Sequence, residues 1–148
     1  MMKLNRFDEP CNGVFSYVVE PTDAYGWAVV YSRKSRLLMG YIWPREHYPW
    51  INIWQEWSGR KPLYLGVEFG TTGLHKPFPE VIEEGNTRVF GERTYAFVDA
   101  GASQRFCYHM FLHRVAEPLQ GVEYVAIKEG ILVASLNGRE RVLHAVTG

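Results

Sequence analysis

Short runs in which apolar and polar residues alternate one by one recur along this chain, while the three-to-four-residue spacing of an amphipathic helix is almost absent. Runs rich in aromatic and β-branched residues, bounded by Gly, Pro, Asn and Asp, predict strands at Val14–Val19, Trp27–Ser32, Leu37–Trp43, Trp50–Trp57, Leu63–Gly70, Thr94–Val98, Phe106–His113, Val122–Lys128, Ile131–Leu136 and Val142–Val146. Glu129-Gly130 and Asn137-Gly138 sit between apolar runs as tight hairpin turns. Strands joined by short turns favour antiparallel pairing, so the expected fold is all-β, an antiparallel β-sandwich. Between Thr71 and Arg93 lies a long connection holding Pro77, Pro79 and several charges, a length usual for functional loops or mobile segments. With no internal repeat, low-complexity tract or linker, one domain spanning residues 1–148 is expected.

One predicted strand carries an unusual acid. In Leu63-Tyr64-Leu65-Gly66-Val67-Glu68-Phe69-Gly70, alternation puts Leu63, Leu65, Val67 and Phe69 on an apolar face and Tyr64, Gly66, Glu68 and Gly70 on the other. Glycine inside a strand forfeits packing and often marks close approach of a ligand or another backbone. Glu68 therefore reads as a lone carboxylate in an open, ligand-sized space. The bland alternative is an amphipathic strand with a solvated Glu and glycines at bulges.

A second constellation is aromatic. Trp43, Trp50, Trp54 and Trp57 lie close together, and one face of the strand around them carries Trp50, Asn52, Trp54 and Glu56. Indole rings beside amide and carboxylate groups suit a sugar, whose C–H surface stacks on the ring while its hydroxyls take hydrogen bonds. Burial in a core is the competing reading for any single Trp, least so for Trp54 with its polar neighbours.

Composition narrows the function classes. At 148 residues and 47% hydrophobic content the chain is long enough for a real core, burying roughly two-thirds of its unfolded surface. Sixteen basic residues balance sixteen acidic ones without a Lys/Arg run, so nucleic-acid binding is not expected. There is no signal-like apolar segment and no stretch of about twenty apolar residues, and the expectation is a soluble, cytoplasmic protein without a membrane partner. Cys11 and Cys107 are too few for a disulfide framework and lack a metal-ligand spacing, so both are expected reduced and structural. His109 and His113 share a strand face roughly 13 Å apart, too far for one ion, and no metal site is expected. His47 and His75 fall in or near predicted loops, from which either could reach the ligand space around Glu68.

The segment Gly66-Val67-Glu68-Phe69-Gly70-Thr71-Thr72-Gly73-Leu74-His75-Lys76-Pro77-Phe78-Pro79 resembles the C-terminal signature of the aldose epimerase (galactose mutarotase) family, in which a glycine-led strand delivers a glutamate and a Pro-containing loop follows. Pro49-Trp50-Ile51-Asn52-Ile53-Trp54 resembles that family's upstream strand, and Tyr95–Gly101 with Arg105–Leu112 resembles its closing turn and strand. The likeness covers roughly Phe15 to Val115 and corresponds to the C-terminal half of a typical member. It implies part of the family's supersandwich fold, a carbohydrate ligand and no cofactor. It also implies Glu68 as the base that removes the anomeric hydroxyl proton while an acid protonates the ring oxygen. The family's acid is a histidine of the other half, so His75 or His47 would have to stand in. A sheet surface lacking that half's cover implies a homo-oligomer, most simply a twofold dimer. Besides a mutarotase-type isomerase, a non-catalytic sugar-binding module and a structural half-domain remain open.

Overall fold

The computed structural model describes residues 12–146, so Cys11 lies outside the described residues. Its elements, in chain order, are β1 (Gly13–Val18), β2 (Tyr25–Ser32), β3 (Leu37–Pro44), β4 (Trp50–Ser58), β5 (Lys61–Gly70), α1 (Phe78–Glu83), β6 (Arg88–Val89), β7 (Glu92–Arg93), β8 (His109–Arg114), β9 (Val122–Lys128), β10 (Ile131–Leu136), β11 (Arg139–Val142) and β12 (Ala145–Val146). The strands pair antiparallel throughout, in small sheets, and the fold is all-β apart from one short helix among the described residues. No helix among them is long and apolar enough to cross a membrane.

Two compact units divide the chain: the described residues up to Pro21 join Tyr48–Ser103, and Thr22–His47 joins the residues from Gln104 onward. The first unit holds the three-stranded sheet β1-β4-β5 and the hairpin β6-β7. Its β4 and β5 pair from Trp50↔Gly70 through Glu56↔Tyr64, then shift register before Trp57. The second unit holds the four-stranded sheet β12-β8-β3-β2 and the meander β11-β10-β9. Leu38 and Ile42 of β3, Phe111 of β8, Val125 of β9 and Leu132, Ala134 and Leu136 of β10 share one buried core, so these two sheets bury apolar faces together.

Local chemistry explains the turns. Glu129-Gly130 and Asn137-Gly138 take positive φ at both positions (51° and 79°, 51° and 73°), the geometry that matches a two-residue loop to the twist of its strands. Phe90-Gly91 closes β6-β7 the same way, with φ of 52° and 83°. Gly40 lies opposite Phe111, where a Cβ would come within 2.4 Å of the ring, so its missing side chain makes room for the core phenyl.

Four expectations are corrected. Thr94–Val98 is not a strand: Thr94 is buried with its hydroxyl donating to the Asn86 carbonyl at 2.6 Å, while Phe97 and Val98 are exposed and without ladder partners. The long connection from Thr71 to Arg93 is structured. It contains α1, started by Pro79 in the first turn and ended by Gly85 at φ 70°, with Gly85 N–H on the Ile82 carbonyl and Asn86 N–H on the Val81 carbonyl. Phe106–His113 begins only at His109. Val142–Val146 divides between β11 and β12, because Leu143 turns inward, buried, and its N–H bonds the Leu132 carbonyl.

Candidate functional site

The register of β4 against β5 assembles the candidate face. Asn52 stands opposite Glu68, Trp54 opposite Gly66 and Glu56 opposite Tyr64, so the two strand faces singled out separately in the sequence are one face of one sheet. Residues directly opposite in an antiparallel pair project to the same side, which is why alternation on each strand and the pairing together fix the neighbours.

Glu68 is exposed, and its surroundings differ from the empty space expected around it. The indole of Trp54 lies against Gly66: a Cβ there would be 3.4 Å from Trp54 Cε3 and 3.7 Å from Glu68 Oε1. Indole and carboxylate thus reach the same space over Gly66. On the other side, the position of a Gly70 Cβ is 3.6 Å from Asn52 Nδ2 and 3.5 Å from the Thr72 carbonyl oxygen. One strand's sequence shows the gap left by its glycines; the neighbouring strand and the following loop fill part of it.

The aromatic residues separate into two roles. Trp54 is 39% exposed and its ring lies nearly parallel to that of Tyr64, with centroids 6.1 Å apart and planes at 7°. Trp50 is buried: its Nε1–H donates to the Arg93 carbonyl at 2.7 Å, and Gly73 leaves room for its ring, since a Cβ there would fall 2.1 Å from Cε3. The Trp50 ring therefore holds the loop after β5 against the sheet rather than offering a stacking surface. Asn52 is only 5% exposed; its Nδ2 donates to the Thr72 carbonyl at 3.1 Å, while its Oδ1 is buried with no hydrogen-bond partner. Such an orphaned acceptor is costly, and it stands directly across the ladder from Glu68. Glu56 is half-buried at the Tyr64 end.

His75 is exposed in the loop after β5, and no hydrogen bond or ion pair between it and Glu68 is found among the described residues. His47 belongs to the second unit, where its Nδ1 accepts from the Cys107 backbone N–H at 3.4 Å and lies 3.5 Å from Cys107 Sγ, with the ring edge-on to Phe106. Cys107 is a free thiol, and it is exposed rather than packed in a core. On β8, His113 faces the same side as Phe111; burial, reinforced by the nearby charges of His144 and Arg141, holds its imidazole below its ordinary pKa. No group of three or more His, Cys, Asp or Glu side chains among the described residues is placed to hold a metal ion.

Tyr64 was visible in the sequence as a face-mate of Glu68, and its partnership with Trp54 follows only once the register is known. Thr72 carried no comparable signal, because its part is played by a backbone carbonyl. No protein-family model matches this chain, and no match was found among curated proteins or among solved structures.

Proposed function

We propose that the β4-β5 face binds carbohydrate. The observation that supports this most is the convergence of an exposed indole and an exposed carboxylate on the space over Gly66. Trp54, braced by Tyr64, supplies an apolar plane for the C–H face of a pyranose, and Glu68 supplies an acceptor for two adjacent hydroxyls. The buried Oδ1 of Asn52 marks this as the polar end of the face. On this reading the chain is related to the C-terminal half of the aldose epimerases and shares their sandwich-type architecture. Glu68 then corresponds to their base. His75 makes no hydrogen bond to Glu68 among the described residues, so binding is the part of that activity the residues of this face support better than ring opening.

The test is quenching of tryptophan fluorescence by galactose and lactose. Saturable quenching that disappears in Trp54→Ala and weakens about tenfold or more in Glu68→Gln is expected, the size of a lost charge-assisted hydrogen bond. Unchanged emission at saturating sugar rejects the proposal. Polarimetry of freshly dissolved galactose decides the catalytic extension: interconversion no faster than in buffer leaves a binding protein, and acceleration abolished in Glu68→Gln makes it an epimerase.

A further inference from the structure

A second site lies in the first unit, built from side chains the carbohydrate face does not use. Phe78 of α1, Thr87, Arg88 and Arg93 of the β6-β7 hairpin, and Tyr95 and Phe97 just after it line a cleft of about 460 Å³. That volume is within the range of small-molecule sites. Arg88 and Arg93 are ladder partners, so their side chains leave the same face of the hairpin. Arg93, Tyr95 and Phe97 then follow at every second position along the cleft wall.

The hairpin is anchored. Trp50 Nε1–H holds the Arg93 carbonyl, Thr94 N–H bonds the Thr87 carbonyl at 3.3 Å, and Arg88 Nη1 donates to the Gly91 carbonyl at 2.8 Å. Neither guanidinium takes part in an ion pair among the described residues. Two positive charges side by side without a carboxylate repel one another and gain from an anion between them, and a guanidinium fork fits the oxygens of phosphate. The rest of the lining is largely aromatic: Phe78 and Tyr95 meet edge to face with centroids 5.2 Å apart, and Phe97 is 68% exposed. Exposed aromatic planes beside paired arginines accept a flat ring whose substituent carries the negative charge.

We propose that this cleft binds a small phosphate monoester joined to a flat aromatic body, the chemistry of a nucleoside monophosphate. A monoester carries close to two charges at neutral pH and so balances both arginines, which a single carboxylate does not. The proposal is independent of the carbohydrate reading, because Trp54 and Glu68 take no part in it.

Calorimetric titration of the full chain with adenosine monophosphate, adenosine and inorganic phosphate is the test. Binding of the monophosphate is expected to exceed that of either fragment and to weaken as salt screens the arginines. It should also strengthen as pH rises through about 6, where the phosphate loses its second proton. Arg88→Gln and Arg93→Gln should each raise Kd about tenfold or more, and Trp54→Ala should leave it unchanged. Phe97→Ala, at an exposed position the fold does not need, should weaken the monophosphate and leave inorganic phosphate unaffected. No heat at saturating monophosphate, equal affinity for inorganic phosphate, or an Arg88→Gln/Arg93→Gln double variant binding as tightly as the parent would overturn the proposal.

Discussion

Gly40 and Asn52 show how single residues are constrained by partners remote in sequence. A Cβ at position 40 meets the Phe111 ring at 2.4 Å and the Ala28 carbonyl oxygen at 2.8 Å, and that backbone atom cannot swing aside. Gly40→Ala is expected to destabilise the protein by about 1–3 kcal/mol, the usual cost of overpacking, measured by urea unfolding. Asn52→Ala removes the donor that satisfies the Thr72 carbonyl and should cost about 1–3 kcal/mol. Part of that loss is offset because the orphaned Oδ1 goes with it. Phe90 is the opposite case: it is 80% exposed yet held at φ 52°, where a bulky side chain is disfavoured. Phe90→Asn, which tolerates that region, should raise the melting temperature, with a gain of up to about 1 kcal/mol. A melting temperature lowered by this change would show the phenyl group has a packing role. Asn52 was legible in the sequence as a polar face-mate of Trp54, but Thr72 as its partner and the demand of Phe111 on Gly40 were not, because pairing joins positions that are distant in the chain.

At the scale of elements, strands whose residues alternate and whose ends carry their own turn chemistry were readable within a residue or two. β9 and β10 match their expected bounds, because Glu129-Gly130 fixes the turn and leaves one register for the apolar face. The segment from Thr94 to Val98 had the same local pattern and no strand to pair with, so its aromatic residues went to a cleft wall. α1 escaped notice since six residues are too few for helical periodicity, although Pro79 and Gly85 marked its two ends. β8 carries a pH prediction. His113 has its pKa depressed in the folded state by burial and by its neighbours His144 and Arg141, so the unfolded chain binds that proton more readily. Its contribution to stability is complete above the unfolded value of about 6.5 and is lost as pH falls through the lower folded value. Denaturant midpoints should therefore fall as the protein is acidified from neutral pH, and His113→Gln should flatten that part of the profile. An identical pH dependence in the variant would assign the effect to other groups.

For the molecule as a whole, the β4-β5 face proposed for carbohydrate and the arginine cleft both belong to the first unit, and His47 belongs to the second. The exposed Phe15, Leu63 and Leu65 of the β1-β4-β5 sheet keep the dimer expected from the sequence as a prediction of the same reading. Light scattering at micromolar concentration should give twice the chain mass, and Leu65→Lys should shift the protein to monomer; a monomeric parent rejects the prediction. The sequence by itself determined the all-β class, the hairpin turns and which residues share a face on each strand, since these follow from backbone geometry and neighbours along the chain. Only the tertiary structure decided which faces meet: that Glu68 stands across from Asn52 beside Trp54, that Trp50 is buried, and that two arginines lie side by side. Register and loop packing are set by contacts between distant segments, and their energies depend on all the partners at once.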